Sequence, residues 1–489
     1  MKETSGGCSC CRLSRRCFLA MASAAAISPL ATAEQRGRTS NTFLRGALNP
    51  TAYRPKPKVQ VRVASLRLPP PYWLGWPGAS YDVEKHYDEY NRSLCQAANR
   101  AGVTLLQEDK PIENDQGLDA FVSDLGVRKP DAVCLVLQHF GVWHWAEAVT
   151  KLGIPTIIFA PIGTAFTGHV HDISRRSGVY VISSLDTGAL NQALRMVRAK
   201  RQFEESRLLV VAGAERKEDV LERLGTRVRY VPRSELPNLF DATPVTDEVK
   251  QIARDMRKKA EKIVEPSRED LINAARSFVA ALRLIEKEEA NAVTTDCLGM
   301  VAERHVPTPP CMAASLFQDA GITYGCEADV FGAISLMLTS YLFDKPGFMN
   351  DPVPETVKNV LIAAHCVCGT RLNGFEEPPV PFILRSHAES NLGVSLQVLW
   401  REGQPVTLVR FQNPNQVIVD TGTVVGNVST PPAGGCRTSV EIKMDDVEDV
   451  RNVLGFHQVV FYGNHRRDVE AFCQLYGIET IHSPKAATA

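Results

Sequence analysis

The chain has 489 residues, of which 44% are hydrophobic and 22% are charged. This length exceeds what one hydrophobic core usually serves, so we expect two or three domains. Lys plus Arg and Asp plus Glu both number 55, and a net charge of zero argues against a polyanionic partner such as nucleic acid. No segment approaches about 18 uninterrupted apolar residues, so no membrane span is expected.

The first 33 residues have the pattern of an export signal. The pair Arg15-Arg16 precedes a small apolar run at 20–27, and Pro29 and Ala31-Thr32-Ala33 follow, the latter a small-x-small cleavage pattern. A paired arginine before such a run is the twin-arginine signature. The sequence therefore predicts a signal peptide over residues 1–33 and a periplasmic protein. The alternative is a tail in which the arginine pair arose by chance.

The thirteen cysteines do not form a recognisable disulfide framework. Four of them fall in the predicted signal peptide, and the other nine are an odd number scattered along the rest of the chain. Cys366 and Cys368 are separated by one residue and have no second pair near them in sequence, so no structural zinc site is expected.

Residues 34–57 are predicted to be a flexible leader because prolines and arginines punctuate them. From Val59 onward, short β-branched runs alternate with amphipathic stretches, which indicates parallel strands covered by helices on both faces. The predicted elements are a strand at 59–64, a helix at 83–101, and strands at 132–137, 155–159, 179–182 and 207–211. An N-terminal α/β domain is therefore predicted over residues 58–175.

A second α/β domain is predicted over residues 176–375. Amphipathic helices at 247–264 and 268–288 precede a strand-like run at 291–296. A further helix is predicted from residue 311, directly after Pro309-Pro310, because proline is favoured at the start of a helix.

The character of the chain changes after about residue 380. Short alternating runs punctuated by Gly and Pro indicate an antiparallel sheet or small barrel, so a β-rich domain is predicted over residues 376–489. The predicted fold class is α/β, with two Rossmann-like parallel-sheet domains followed by a mostly antiparallel, barrel-like domain.

Two acidic residues stand where a ligand is expected to bind. Glu327 ends a strand-like run at 322–327, and Asp351 lies in a turn-like Asn350-Asp351-Pro352. Carboxylates at the carboxyl ends of parallel strands commonly meet ligands in α/β proteins. The alternatives are a helix-start acid for Glu327 and an ordinary turn residue for Asp351.

The segments around these acids resemble the L-fucose and L-arabinose isomerases. The elements that look like the metal-ligand motifs of that family occur in the same order: Cys326-Glu327-Ala328-Asp329, Asn350-Asp351-Pro352 and Gly463-Asn464-His465. Supporting segments are Pro310-Cys311-Met312, Ala364-His365-Cys366 and Gly434-Gly435-Cys436-Arg437-Thr438. The resemblance covers roughly residues 290–480, and the N-terminal half matches only in architecture.

The resemblance implies a metal-dependent aldose–ketose isomerase that acts on a sugar through an enediol, as a homotrimer or homohexamer. It implies Glu327, Asp351 and His465 as ligands of a divalent cation, expected to be Mn²⁺, with the two acids also moving the proton between C1 and C2. Two carboxylates and an imidazole suit such a cation. His365 is a candidate fourth ligand, although a lone histidine at the end of an apolar run is commonly a hydrogen-bonded core residue.

Four further residues are candidate substrate contacts. Gln138 and His139 directly follow a predicted strand, Asp296 ends another, and His387 lies in the β-rich domain. Polar groups at the carboxyl edge of a parallel sheet commonly meet ligands. For each of the four, the alternative is ordinary polarity of an exposed loop.

Two other functions stay open at this point. An exported sugar-binding protein without catalysis would also pair α/β lobes, but it predicts no metal and leaves the β-rich domain unexplained. A related enzyme could act on a modified sugar or a uronate, or could have lost its activity. Metal analysis of the purified protein distinguishes the isomerase from the binding protein, and a panel of sugar substrates distinguishes it from the related enzyme.

Overall fold

The computed structural model describes residues 48–485. The predicted signal peptide and residues 34–47 of the predicted leader lie outside this range. The rest of the leader is structured, contrary to prediction. Asn49 caps a 3₁₀ helix at Pro50–Tyr53, and Arg54 pairs with Asp344 at 3.2 Å. A cap and an ion pair therefore hold a segment that its composition alone marks as a linker.

The chain divides into two compact units. The first comprises Pro57–Arg201 with Ala471–Ile478, and the second comprises Gln202–Glu470 with the described parts of 38–56 and 479–489. The first unit continues beyond the predicted boundary at residue 175 because the strand Val179–Ser183 pairs in parallel with Thr156–Ala160.

The first unit contains a five-stranded parallel sheet with the order β2-β1-β3-β4-β5. Its strands are β1 (Gln60–Leu66), β2 (Thr104–Gln107), β3 (Ala132–Leu137), β4 (Thr156–Ala160) and β5 (Val179–Ser183). The helices in this part of the chain are α1 (Val83–Ala101), α2 (Asp115–Arg128), α3 (Trp143–Thr150), α4 (Thr167–Ile173) and α5 (Ala189–Glu205). Strand β3 is buried at every position, as expected for a strand covered on both faces.

The second unit begins with a mixed sheet of order β11-β10-β6-β8-β7, in which only the edge strand β7 is antiparallel. Its strands are β6 (Arg207–Val211), β7 (Lys217–Leu221), β8 (Thr226–Val231), β10 (Ala292–Thr295) and β11 (Thr323–Cys326). The helices are α6 (Glu235–Asp241), α7 (Asp247–Lys259), α8 (Arg268–Lys287), α9 (Cys297–Ala302), α10 (Cys311–Asp319) and α11 (Val330–Phe343).

A closed antiparallel barrel follows in the same unit. Its strands run β16-β19-β12-β13-β18-β17, and β16 pairs with β17 to close the ring. They are β12 (Phe348–Glu355), β13 (Val360–His365), β16 (Pro405–Asn413), β17 (Gln416–Asn427), β18 (Thr438–Met444) and β19 (Gln458–Tyr462). The last helix, α12 (Arg466–Leu475), precedes β20 (Glu479–Ile481), which pairs in parallel with β17. The predicted fold class is therefore confirmed.

The barrel begins earlier than the predicted boundary at residue 375. Strand β12 contains Pro352 and Pro354, so its sequence looks like a turn. The prolines are accommodated because β12 pairs with β19 only through residues 348–350 and beyond them pairs only with β13. The acid Asp351 consequently lies on a barrel strand and not in a turn of the α/β domain.

Helix α11 lies between the second sheet and the barrel. It is buried from Gly332 to Phe343, and the Ser335 hydroxyl accepts a hydrogen bond from the backbone N–H of Phe411 in β16 at 2.9 Å. A small sheet of β9 (Lys262–Ile263), β14 (Phe382–Arg385) and β15 (Ser395–Val398) completes the unit. Within residues 48–485, no helix is both long and apolar enough to cross a membrane.

Candidate metal centre

Glu327 stands at the carboxyl end of β11, in the turn that leads into α11. Glu327 and Ala328 both adopt left-handed backbone conformations, with φ of 57° and 54°. Consecutive non-glycine residues rarely do so, because the Cβ atom crowds the backbone. The turn is held by Asp329, whose side chain accepts the N–H of Gly332 and caps α11. This strained turn fixes the position of the Glu327 carboxylate.

Three neighbouring barrel strands supply the other side chains. Asp351 lies on β12 opposite Ala364, and the next residue along β13 is His365, its last. His457 directly precedes β19, whose first residue, Gln458, pairs with Asn350. The pairing of β12 with both of its neighbours therefore brings Asp351, His365 and His457 to the same part of the barrel.

The four side chains meet in one cluster. The Nε2 atom of His457 lies 3.3 Å from Glu327 Oε2 and 3.3 Å from Asp351 Oδ1. The Nε2 atom of His365 lies 3.6 Å from Glu327 Oε1. Within the described residues, Glu327, His365 and His457 are the group whose ligand atoms, all within 4.8 Å of one another, fit a metal ion.

The hydrogen bonding of the cluster also fits a cation. Asp351 Oδ1, His365 Nε2 and His457 Nε2 are all buried, and none of them has a hydrogen-bond partner among the described residues. Buried polar atoms are normally satisfied, so three unsatisfied atoms in one cluster leave a ligand position to be filled. Carboxylate oxygens and imidazole nitrogens are a donor set that suits a divalent transition metal.

His457 is oriented by a carboxylate on its far side. Its Nδ1 atom lies 2.8 Å from Asp329 Oδ2, and the Arg410 guanidinium donates to both oxygens of Asp329 at 2.7 and 3.2 Å. A carboxylate on the second ring nitrogen is the usual support for a histidine that binds a metal through the first. Asp329 therefore fixes the tautomer in which Nε2 of His457 is free to bind a cation.

The charges of the cluster are strongly coupled. The imidazoles of His365 and His457 hold the pKa of Glu327 well below its ordinary value. Burial alone would lower the pKa of His457, but the three facing carboxylates raise it to about 11. Burial likewise would raise the pKa of Asp329, yet His457 and Arg410 lower it to about 2. A cation that binds here must displace protons from the imidazoles, so its affinity rises with pH.

The predicted ligand His465 does not join this cluster. Its ring stacks on Phe461 with centroids 5.7 Å apart, its Nε2 atom lies 3.2 Å from Lys345 Nζ, and its Nδ1 atom lies 3.2 Å from Asp468 Oδ2. The five residues of β19, followed by Gly463 and Asn464, lie between His457 and His465, and a strand of five residues spans about 17 Å. The two histidines therefore stand at opposite ends of one strand, and His457 takes the position predicted for His465.

The candidate fourth ligand, His365, does face the cluster. Nδ1 accepts the backbone N–H of Cys366 at 3.0 Å, as a core histidine would, which leaves the proton of a neutral imidazole on Nε2, the atom that faces Glu327. Binding of a cation through Nε2 requires this hydrogen bond to break, and the role of His365 as a ligand stays a prediction.

Three of the four predicted substrate contacts make local structural contacts. Gln138 is buried in the first unit and donates to the carbonyl of Val83, and His139 accepts the N–H of Gly141. Asp296 caps α9 and pairs with Arg233 at 3.1 Å. These contacts are structural, and contact with a substrate stays a prediction for all three residues.

His387 is buried, so the alternative of an exposed loop does not hold for it. Its Nδ1 atom lies 2.9 Å from the Ser390 hydroxyl, and the ring contacts the thiol of Cys366, the residue after His365. His387 therefore contacts the chain neighbour of His365 and does not itself belong to the cluster.

Comparison with known proteins gives a partial match to a sugar isomerase. No protein-family model matches the chain. A sulfoquinovose isomerase from Clostridium sp. (strain MSTE9) is 25% identical over 179 residues, which are 35% of this chain and 40% of that enzyme. The match thus spans two fifths of the length of this curated relative. A solute-binding protein of an ABC transporter from Agrobacterium vitis, solved with α-D-tagatopyranose, is 12% identical and covers 55% of this chain and 92% of its own, but its TM-score of 0.17 carries no argument.

Proposed function

We propose that the protein is a metal-dependent aldose–ketose isomerase that converts a sugar through an enediol intermediate. The observation that carries the proposal is that ligand atoms of Glu327, His365 and His457 all lie within 4.8 Å of one another, with Asp351 Oδ1 3.3 Å from Nε2 of His457. The partial similarity to a sulfoquinovose isomerase supports the reaction class. A binding protein without catalysis has no need of such a set of ligands.

The residues that would hold the cation are Glu327, Asp351, His457 and His365, and we propose Mn²⁺ as the metal. When bound, a divalent cation supplies Lewis acidity that stabilises negative charge on the sugar oxygens at C1 and C2. Asp329 and Arg410 keep the His457 ring in place, so the site is organised before the sugar arrives.

The proton transfer is assigned to the two carboxylates. One carboxylate removes the proton from C2 of the aldose, the C2 electron pair forms the C1–C2 double bond, and the C1 oxygen takes up a proton. The C2 oxygen of the enediol then loses its proton as C1 gains one, which yields the ketose. The pKa of Glu327 lies below its ordinary value, so its carboxylate is ionised at neutral pH and can act as the base.

The test is a panel of aldoses incubated with Mn²⁺-saturated protein and followed by proton NMR. The panel contains L-fucose, L-arabinose, sulfoquinovose and a hexuronate. We expect formation of the corresponding ketose from at least one of them, with exchange of the C2 proton for solvent deuterium. Sugar binding without conversion of any aldose would favour the non-catalytic binding protein.

We also propose that the enzyme is exported through the twin-arginine pathway to the periplasm and assembles as a homotrimer or homohexamer. The export proposal rests on Arg15-Arg16 and the apolar run that follows. The assembly proposal rests on the resemblance to L-fucose and L-arabinose isomerases. Light scattering on the purified protein measures the number of subunits directly.

A further inference from the structure

The second unit contains a cleft of about 620 Å³ between the segment after α9 and the loop 387–392. This volume is within the range that small-molecule sites occupy. Its lining includes Val301, Arg304, His305, Pro307, Ser390 and Leu392.

Both walls of the cleft begin at the metal cluster. Helix α9 starts at Cys297, two residues after Thr295, whose carbonyl accepts the backbone N–H of Ala328, the residue after Glu327, at 3.0 Å. On the other wall, Ser390 bonds to His387, which contacts the residue after His365. The six residues of α9 rise about 9 Å, which is comparable with the length of a hexose. A sugar with its C1–C2 end at the cluster can therefore place its far end in the cleft.

The charge of the cleft favours an anion. Arg304 and His305 line it, and no carboxylate does. Of the acids on these two segments, Glu303 pairs with Arg233 at 3.0 Å and with His305 at 3.3 Å, and Asp296 also pairs with Arg233. Glu389 belongs to the loop 387–392 but does not line the cleft, so Arg304 is the cation that the cleft offers to a ligand. The Arg304 guanidinium makes no hydrogen bond or ion pair with any residue in the range 48–485. An arginine with five free donors is well suited to bind an oxyanion.

We propose that this cleft receives an anionic substituent at the far end of the sugar, a sulfonate, phosphate or carboxylate, and that Arg304 selects for it. The inference rests on the proposed function, because it assumes that the C1–C2 end of the sugar occupies the metal cluster. The similarity to an isomerase named for sulfoquinovose, a sulfonated sugar, agrees with this substrate class.

The experiment compares four sugars that differ only at C6: sulfoquinovose, glucose 6-phosphate, glucuronate and the neutral 6-deoxyglucose. We expect wild-type protein to prefer at least one anionic sugar over 6-deoxyglucose, and the order among the three anions identifies the group. Arg304→Gln should lower kcat/KM for the preferred anion by about tenfold, mainly through KM, and leave 6-deoxyglucose unchanged. Arg257→Gln, at an exposed arginine of α7, is the matched control and should change neither value.

Calorimetric binding of the same sugars separates this inference from the proposed function. Without isomerisation of any sugar, the proposed function fails, yet tighter binding of an anionic sugar that is lost in Arg304→Gln still supports the cleft. Equal affinity for charged and neutral sugars, or a preference that Arg304→Gln leaves intact, overturns the cleft assignment even where isomerisation is observed.

Discussion

The imidazole of His457 lies between three carboxylates: Nδ1 is 2.8 Å from Asp329, and Nε2 is 3.3 Å from both Glu327 and Asp351. Asp329 is itself held by Arg410 and by the N-terminus of α11. It therefore orients the histidine without belonging to the ligand set.

Replacing Asp329 with Asn should weaken the metal site without removing a ligand. Loss of the carboxylate leaves the His457 ring free to adopt the wrong tautomer, and changes of this kind typically cost 10- to 100-fold in metal affinity. Titration of the variant with Mn²⁺, followed by calorimetry, measures the effect. Asp468→Asn at the similar pair with His465 is the control, and an equal loss of affinity there would argue against the role of Asp329.

The two acids are predicted to transfer protons as well as to hold the cation. If so, Glu327→Gln or Asp351→Asn, at Mn²⁺ concentrations that saturate the variant, keeps sugar binding but slows turnover by about 10²- to 10⁴-fold. Exchange of the C2 proton with deuterated solvent is the measurement. Exchange at the wild-type rate in both metal-saturated variants contradicts the assignment and favours a hydride shift or another base.

Glu265 is predicted to stabilise the fold near the site in a pH-dependent way. The single Nε–H of the buried Arg385 is shared between both carboxylate oxygens of Glu265, Nη2 of Arg385 donates to Oε1, and Oε2 also accepts the N–H of Ser386. Burial alone would raise the pKa of Glu265, but Arg385 lowers it from 4.5. Because the folded pKa is below the unfolded one, this stabilisation is present above pH 4.5 and is lost as the pH falls towards the folded pKa.

Glu265→Gln tests this prediction. At pH 7 the variant should lose about 2 kcal/mol of unfolding free energy, a value reduced because Glu265 is partly exposed, and its Tm should depend less on pH below 4.5 than that of the wild type. Asp449→Asn, at an exposed pair with Arg451, should leave the Tm unchanged. Wild-type stability of Glu265→Gln at both pH 7 and pH 4 would show that the ion pair contributes nothing.

Export is tested by replacing both Arg15 and Arg16 with Lys. The twin-arginine receptor recognises the guanidinium pair and not positive charge alone, so we expect the variant to stay in the cytoplasm. Cell fractionation of wild type and variant gives the result. Unchanged export would indicate the general secretory route.

The sequence predicted the fold class because alternating β-branched and amphipathic runs distinguish parallel sheets from the short strands of the barrel. It located Glu327 and Asp351 through their motifs, but it placed Asp351 in a turn. The reason is that Pro352 and Pro354 are tolerated only where β12 has lost one of its two neighbours, and this pairing is not visible in the sequence.

His457 could not be found in the same way. It has no motif of its own, whereas the conspicuous Gly463-Asn464-His465 directly follows the last residue of β19. Its one local signal is its place directly before the apolar strand β19, at the opposite end of that strand from His465. Which end of a barrel strand meets the α/β sheet depends on the pairing of β19 with β12, a long-range contact.

The most direct test of the metal centre is to measure Mn²⁺ bound by wild-type, His457→Ala and His465→Ala proteins after dialysis against the metal and removal of the excess. We expect one Mn²⁺ per chain in the wild type and in His465→Ala, and at least a tenfold weaker site in His457→Ala, because truncating His457 removes a ligand. Loss of Mn²⁺ from His465→Ala together with wild-type binding by His457→Ala would contradict the account.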